Sequence, residues 1–157
     1  MIDPADPDDE RTLGPTLALL RRLWALDHAL ESGSKRMLRE LGLTAQQRFV
    51  LRLVGRFPGI TPSRLAAMLQ VDPGTLSAAL RRLERRKLVA RRRDERDHRR
   101  VHLGLTREGR ALDVPVERTV ERGIERVLAT TPRAEIDVAD RVLRRIAEAL
   151  LRTFDDA

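Results

Sequence analysis

The chain has 157 residues, which is long enough for one compact domain with a core and too short for two independent ones. It contains no cysteine, so disulfides, thiolate metal sites and cysteine-based peroxide sensing are excluded. The first ten residues are acidic rather than typical of a secretory signal, and no apolar run approaches the ~20 residues that cross a membrane. A cytoplasmic protein without a membrane partner is therefore expected.

The formal net charge is +7, and its distribution is uneven. Between residues 60 and 110, fourteen basic side chains stand against six acidic ones, a net charge of +8 that leaves about −1 for the rest of the chain. A concentrated basic surface favours phosphate-rich partners such as double-stranded DNA. The alternative, an arginine-rich composition with solvated faces, does not explain the clustering.

The first predicted element is a long helix over residues 12–41, after an acidic tail at 1–11 that is expected to be disordered. Its apolar residues recur at helical spacing. They are Leu13, Leu17, Leu20, Trp24, Met37, Leu38 and Leu41. A second helix follows at 44–57, where Thr44 and Gln47 form a capping-box pattern. Four apolar residues of this helix are expected to pack inward: Phe49, Val50, Leu53 and Val54.

Residues 61–86 predict two short helices joined by a tight turn. Thr61 followed by Pro62, and Asp72 followed by Pro73, each place a capping residue before a proline at the first helical position. The first helix should end near Gln70. In the second, the apolar stripe of Leu76, Leu80 and Leu83 directs small and basic residues outward. Two helices with this spacing form a helix-turn-helix, in which small residues permit close approach to DNA and arginines reach phosphates or guanine edges.

From Leu88 to Leu105 the period changes from helical to alternating, which predicts a strand, a charged loop and a second strand. We call this hairpin the wing. Its loop carries Asp94, Glu95, Arg96, Asp97, His98, Arg99 and Arg100. Asp94 and Asp97 are expected to orient the neighbouring arginines, and His98 and His102 to contact phosphate or solvent.

Long amphipathic helices are predicted again after the wing, over residues 106–155. Thr106 and the pair Thr131 and Pro132 mark two helix starts, and Pro115 should kink or restart the first helix. The apolar residues at helical spacing are Val116, Val120, Ile124, Val127, Ile136, Ala139, Leu143, Ile146 and Leu150. Since these faces lie outside the compact lobe at 44–105, a second copy of the chain is the expected partner that buries them.

The order of these motifs resembles the MarR (multiple antibiotic resistance regulator) family of transcription factors. The matching segments are LTAQQRFVLRLV (43–54), PGITPSRLAAML (58–69), DPGTLSAALRRLERRKLVAR (72–91) and DERDHRRVHLGLTREG (94–109). The resemblance implies an obligate homodimer, a recognition helix at 72–86 and a wing whose Asp-x-Arg element corresponds to Asp97, His98 and Arg99. Three residues depart from the family pattern. Lys87 stands where glycine is frequent, Glu95 where proline is common, and His98 where arginine is usual.

The expected fold is therefore mainly α with a small β-hairpin wing, in one MarR-like domain at 12–157. A winged helix-turn-helix lobe at 44–105 lies between dimerisation helices at 12–41 and 106–155. The expected function is that of a dimeric, sequence-specific regulator, a repressor of a pseudo-palindromic promoter site. Contacts with DNA are assigned to Ser63, Arg64, Gly74, Thr75, Ser77, Ala78, Arg81, Arg82, Arg96, His98, Arg99 and Arg100.

The resemblance also implies an effector site where the second helix meets the first and fifth. Its candidates are Trp24, His28, Phe49 and Arg52, and packing or dimer contact is the competing interpretation of these residues. Arg48 and Arg52 could pair with an anionic ligand, or with Glu31 or Glu40 of a neighbouring helix. An aromatic or anionic small molecule would fit such a set.

No catalytic motif, phosphate-binding glycine loop or metal-spaced histidine set occurs, so neither an enzyme nor a cofactor is expected. His98 and His102 flank part of the wing, but no carboxylate or thiol set completes a metal site there. Two rival functions stay open. The first is architectural or non-specific DNA binding, which predicts equal affinity for all duplexes, and the second is a protein-interaction module that has lost DNA binding.

Overall fold

The computed structural model describes residues 10–94, 97 and 100–155. These residues form helices and one two-stranded antiparallel sheet. The elements are α1 (Glu10–Leu41), α2 (Ala45–Arg56), α3 (Pro62–Leu69), α4 (Pro73–Arg85), β1 (Val89–Arg93), β2 (Val101–Leu105), α5 (Arg107–Leu112), α6 (Val120–Leu128) and α7 (Arg133–Asp155). The predicted mainly helical fold with a hairpin wing is confirmed.

The chain divides into two compact units, Met1–Thr119 and Val120–Ala157. The first unit holds α1 to α5 and the hairpin, and the second holds α6 and α7. Helix α1 begins at Glu10, two residues before the predicted start. It is interrupted at Gly14, whose φ of 68° is not helical, so Pro15 resumes the helix at a position that requires no backbone N–H.

The core of the first unit lies between α2, α3, α4 and the hairpin. Among the residues that the structure describes, fourteen buried apolar ones form one continuous cluster. They include Val50, Leu51 and Val54 of α2, Leu65 of α3, Leu76, Leu80 and Leu83 of α4, and Leu88, Val89 and Leu103 of the hairpin. The predicted apolar stripe of α4 is confirmed. The prediction for Phe49 was wrong, because this residue is 55% exposed whereas Val50 and Val54 are buried.

The predicted helix starts are confirmed at four of the five positions. Thr44, Thr61, Asp72 and Thr106 each accept a hydrogen bond from a backbone N–H three residues later, and Thr44 completes its capping box with Gln47. The fifth start is displaced. The Thr131 hydroxyl donates to the Val127 carbonyl at the end of α6, and α7 begins at Arg133.

Pro115 was expected to kink or restart the first helix after the wing, and the structure shows an interruption rather than a kink. Helix α5 ends at Leu112, and α6 begins only at Val120. The intervening residues are held by α2, since the buried Arg48 side chain donates to the carbonyl oxygens of Leu112 and Val114 over 2.9 and 2.7 Å. At the end of α5, this guanidinium satisfies the Leu112 carbonyl, which the helix leaves unpaired.

Candidate nucleic-acid interface

The connection between α3 and α4 fixes how the two helices present their exposed sides. Gln70 adopts a left-handed conformation (φ 52°), and the Val71 N–H returns to the Ala66 carbonyl. Two residues later, the Asp72 carboxylate accepts a 2.8 Å bond from the Thr75 N–H and a second bond from the Thr75 hydroxyl. These bonds hold the pKa of Asp72 below its ordinary value, so the cap is ionised at neutral pH.

The outward side of α4 has the expected composition. Gly74 and Thr75 are exposed in the first turn, and Arg81 and Arg82 are exposed two turns later. Ser77 and Ala78 are half-buried, so they are less outward than predicted. This side of the helix therefore offers small residues at one end and two guanidinium groups further along.

Helix α3 contributes a shorter exposed stretch. Ser63 and Arg64 are exposed in its first turn, just after the Thr61 cap. Side chains and N–H groups at the start of a helix are common donors to a phosphate backbone.

The wing is a regular antiparallel ladder that extends a basic surface beside α4. Its register pairs Val89 with Leu105 and Arg93 with Val101. Alternation along β1 places Arg91 and Arg93 on the same side as the buried Val89, and Arg91 pairs with Glu84 of α4 over 2.5 Å. Arg93 is exposed beyond this pair. The sequence assignment omitted Arg93, although the period-2 pattern of the strand is enough to place it on this side.

The loop of the wing is described only in part. Arg96, His98 and Arg99, three of the predicted contacts, lie outside the described residues. Arg100 is exposed and pairs with Asp97 over 3.3 Å, which confirms that Asp97 orients an arginine. Asp94 has a further role that was not predicted, because its carboxylate accepts the Asp97 N–H and lies 2.8 Å from Nε2 of His102.

His102 is held on both sides rather than directed at phosphate or solvent, so that prediction was wrong for this residue. Its Nδ1 lies 2.7 Å from the carbonyl oxygen of Gly59, in the loop between α2 and α3. Hydrogen bonding to Asp94, and secondly to Gly59, raises the pKa of His102 above its ordinary value.

The effector candidates are not assembled into one cavity in the first unit. Arg52 pairs with Asp113 over 2.7 Å, so neither Glu31 nor Glu40 is its partner. Trp24 is 69% exposed on α1, and His28 is also exposed. Phe49 lines a cavity of about 170 Å³ between α2, α3 and α4, and a groove of about 660 Å³ lies beside the wing. Trp24, His28 and Arg52 line neither of them.

Two further absences apply to the part of the chain that the structure describes. Nowhere in it do three histidine or acidic side chains come together as possible metal ligands. None of its helices combines the length and apolar character that spanning a membrane requires.

Comparison with known proteins gives a consistent result. The model of the MarR family matches residues 41–100. The organic hydroperoxide resistance transcriptional regulator of Bacillus subtilis (strain 168) is 32% identical, over 59% of this chain and 67% of the relative. A crystal structure of MarR is 30% identical with a TM-score of 0.60, and the match covers 85% of this chain and 98% of that one. Streptococcus pneumoniae FabT, solved in complex with DNA, is 25% identical with a TM-score of 0.65, covering 88% and 99%.

The relatives are transcriptional regulators rather than enzymes, and solved structures of this fold include complexes with DNA. Together with the helix-turn-helix and its basic wing, these matches show that the chain belongs to the MarR family of DNA-binding transcriptional regulators.

Proposed function

We propose that this regulator is a homodimeric, sequence-specific repressor that occludes a promoter until a small molecule lowers its affinity for the site. The observation that carries the proposal is the outward side of α4, where exposed small residues precede Arg81 and Arg82. A helix that combines close approach with guanidinium donors is suited to reading base edges in the major groove.

The wing and α3 supply the contacts that position α4. In the proposal, Gly74, Thr75, Ser77, Ala78, Arg81 and Arg82 face the bases. Ser63 and Arg64 contact the phosphate backbone, Arg96, Arg99 and Arg100 anchor the wing, and His98 contacts phosphate. By resemblance to the family, Arg99 binds beside or within the minor groove. Such phosphate contacts fix register and orientation, whereas base contacts determine the sequence that is chosen.

Exposed apolar side chains outside the lobe support a dimer. On α1, Leu17 and Trp24 are 55% and 69% exposed. On α6 and α7, Ile124, Val127, Leu150 and Leu151 are each close to half exposed or more. Helices with such faces favour association, and a two-fold dimer would place two α4 helices about 34–36 Å apart, one turn of DNA. A pseudo-palindromic site follows from that symmetry.

An effector acting at Arg52 would reach the segment that leads from the lobe to α6. Arg52 already binds one carboxylate, that of Asp113, and the adjacent Arg48 holds Leu112 and Val114. Of the candidates Trp24, His28, Phe49 and Arg52, it is Arg52 at which an anionic molecule, aromatic or not, would displace Asp113. Release requires that this molecule bind one arrangement of the dimer better than the other.

The test begins with affinity selection of genomic fragments by the purified full chain at physiological salt. The most enriched fragment is then titrated against a scrambled copy of equal length and composition. A specific regulator should prefer its site by ~10³-fold or more, and the enriched sequence should be pseudo-palindromic. Equal affinity for both duplexes would replace the proposal with architectural DNA binding.

A second arm tests repression and release. A reporter driven by the selected promoter should be silenced by the chain, and extracts or metabolite libraries should lower affinity for the fragment. If promoter output rises with the protein, the sign of regulation is opposite. If no small molecule changes affinity, the effector part of the proposal fails.

A further inference from the structure

His102 lies between two parts of the lobe that are far apart in sequence, and its ring is within hydrogen-bond distance of both. On one side, the Gly59–Ile60 backbone is fixed to β2 by two 2.9 Å hydrogen bonds, from the Gly59 N–H to the Leu103 carbonyl and from the Leu103 N–H to the Ile60 carbonyl. Nδ1 of His102 lies 2.7 Å from the Gly59 carbonyl oxygen in this fixed segment. On the other side, Nε2 lies 2.8 Å from the carboxylate of Asp94, at the root of the wing loop.

Asp94 connects the ring to the described residues of the wing loop. Its carboxylate accepts the Asp97 N–H over 3.0 Å, and its own N–H donates to the Arg100 carbonyl over 3.0 Å. The Arg100 N–H in turn donates to the Asp97 carbonyl over 2.8 Å. The position of Asp94 is therefore coupled to that of Arg100, one of the proposed DNA contacts.

Both atoms that His102 meets are hydrogen-bond acceptors. A neutral imidazole has one N–H and can satisfy only one of them, which leaves a ring lone pair facing an oxygen at the other. The doubly protonated ring donates to both. The geometry thus favours a ring that carries a proton on both nitrogens.

We propose that the imidazolium form of His102 ties the wing loop to the Gly59–Ile60 segment, so that affinity for DNA falls when the ring loses its proton. His102 is then a positioning residue, acting through Asp94 on Arg100. The inference rests on the wing contacting DNA, as proposed above. Its effect is fully present at low pH and is lost as the pH rises through the raised pKa of His102.

The charged groups around the ring of His102 have opposite effects on its protonation. Asp94 favours the protonated form, while Arg92, which faces His102 across the ladder, and Arg100 are cationic. Arg107, Arg110 and Asp113 of α5 and its end line the same groove as His102, and Asp113 is paired with Arg52. Asp97 is paired with Arg100, whereas the Asp94 carboxylate lies within hydrogen-bond distance of Nε2 and stabilises the proton there.

Asp94→Asn is the decisive variant, because asparagine has nearly the same shape. Its oxygen can keep the bond from the Asp97 N–H, while its NH2 donates to Nε2 of a neutral ring whose Nδ1–H still bonds to Gly59. The link then needs no extra proton. Since the variant also removes a negative charge and so raises general affinity for DNA, the informative quantity is the ratio of Kd at pH 8 to Kd at pH 6.

This ratio is measured by fluorescence anisotropy at constant ionic strength, on the duplex enriched by the genomic selection. We expect a ratio of about 3 to 10 for the wild type, the order expected for loss of one exposed charge-assisted hydrogen bond, and a ratio near 1 for Asp94→Asn. Both measurements are repeated in proteins that also carry His98→Gln. This substitution removes the other histidine of the wing as a source of pH dependence. A flat wild-type profile, or an equal slope in Asp94→Asn, would overturn the proposal.

NMR titration of His102 in the DNA-free protein separates this inference from the proposed function. The ring should titrate above its ordinary value of about 6.5 in the wild type and lower in Asp94→Asn. If the ring titrates equally in both proteins, the link is wrong even where DNA binding is specific. If it titrates as expected while the selection yields no preferred site, the repressor proposal fails and the link stands.

Discussion

Lys87 has a left-handed backbone conformation at a position where the MarR family often has glycine. It follows α4 with a φ of 55°, and the Lys87 and Leu88 N–H groups return to the carbonyls of Glu84 and Leu83. These two bonds form a Schellman motif, in which the left-handed residue is most often glycine. A side chain at this angle is disfavoured, so the position explains why family members often carry glycine here.

Lys87→Gly should therefore stabilise the protein by up to about 1 kcal/mol, because glycine relieves the left-handed strain. The free energy of unfolding, measured by urea denaturation, checks the prediction. Arg85→Gly, at the last residue of α4, is the matched control and should destabilise by roughly 0.5–1 kcal/mol, because glycine has a low helix propensity. Destabilisation by both variants to the same extent would show that the angle at Lys87 carries no strain.

Gly109 is a different case, since close approach rather than backbone angle requires glycine there. A Cβ at this position would lie 2.0 Å from the carbonyl oxygen of Leu88, a backbone atom that cannot rotate away. Gly109→Ala should therefore separate α5 from the start of β1 and cost about 1–3 kcal/mol, as overpacking typically does. Thermal and urea unfolding would measure the loss.

Gly104→Ala is the control for that substitution. It lies in β2 beside the same helix, but a Cβ there meets no atom within 4 Å. Its stability should change little. Equal losses in the two variants would indicate a general cost of replacing glycine in this region, and not the predicted clash at Leu88.

At the scale of elements, the sequence predicted most where local chemistry decides structure. The caps at Thr44, Thr61, Asp72 and Thr106 and the strand alternation of the wing are set by neighbours within a few residues, and all were predicted. The end of α5 was not, because Arg48 holds Leu112 and Val114 from 64 and 66 residues away. No local pattern carries a contact of that kind.

In the candidate interface too, features set by neighbouring residues were predicted and those set by distant contacts were not. Outward placement of Arg81 and Arg82 comes directly from helical periodicity, whereas the role of His102 depends on a loop 43 residues earlier in the chain. The sequence shows a histidine in a basic hairpin, which suggests phosphate or solvent as its partner. Only the fold shows that two acceptors surround the ring.

Helix α4 carries the prediction that tests the docking side directly. Arg81→Ala should relax base preference at one position per half-site and cost about 1–3 kcal/mol of binding to the preferred sequence. Competition binding against a library of single-base variants of the selected site measures this. Arg99→Ala should instead weaken binding to all sequences more evenly and reduce its salt dependence.

Arg145→Ala is the control for charge alone, since it removes an exposed arginine from α7, in the second unit. Its affinity and base preference should match those of the wild type. Unchanged operator binding in both Arg81→Ala and Arg99→Ala would place the DNA on a different side of the lobe.

For the whole molecule, the central question is how the apolar faces outside the lobe are buried. Helix α6 gives the sharpest contrast, because Ile124 and Val127 are 48% and 63% exposed while Arg122 and Glu125 form an exposed ion pair on the same helix. An apolar face of this kind favours association with a second copy. The folding core of the lobe, by contrast, contains no residue of α6.

Ile124→Asp should therefore disrupt the proposed dimer while leaving the lobe folded. Sedimentation velocity should show the mass fall from two chains to one at micromolar concentration, with the circular dichroism of the lobe retained. Affinity for the pseudo-palindromic site should fall by at least about 100-fold, because a lone lobe contacts one half-site and loses the effective concentration that links two. Affinity for scrambled DNA should fall much less, since phosphate contacts remain. Glu125→Gln, which changes the polar side of α6, is the control and should have the mass and DNA affinity of the wild type. A monomeric wild type, or an Ile124→Asp protein that still forms dimers, would assign this face of α6 to another role.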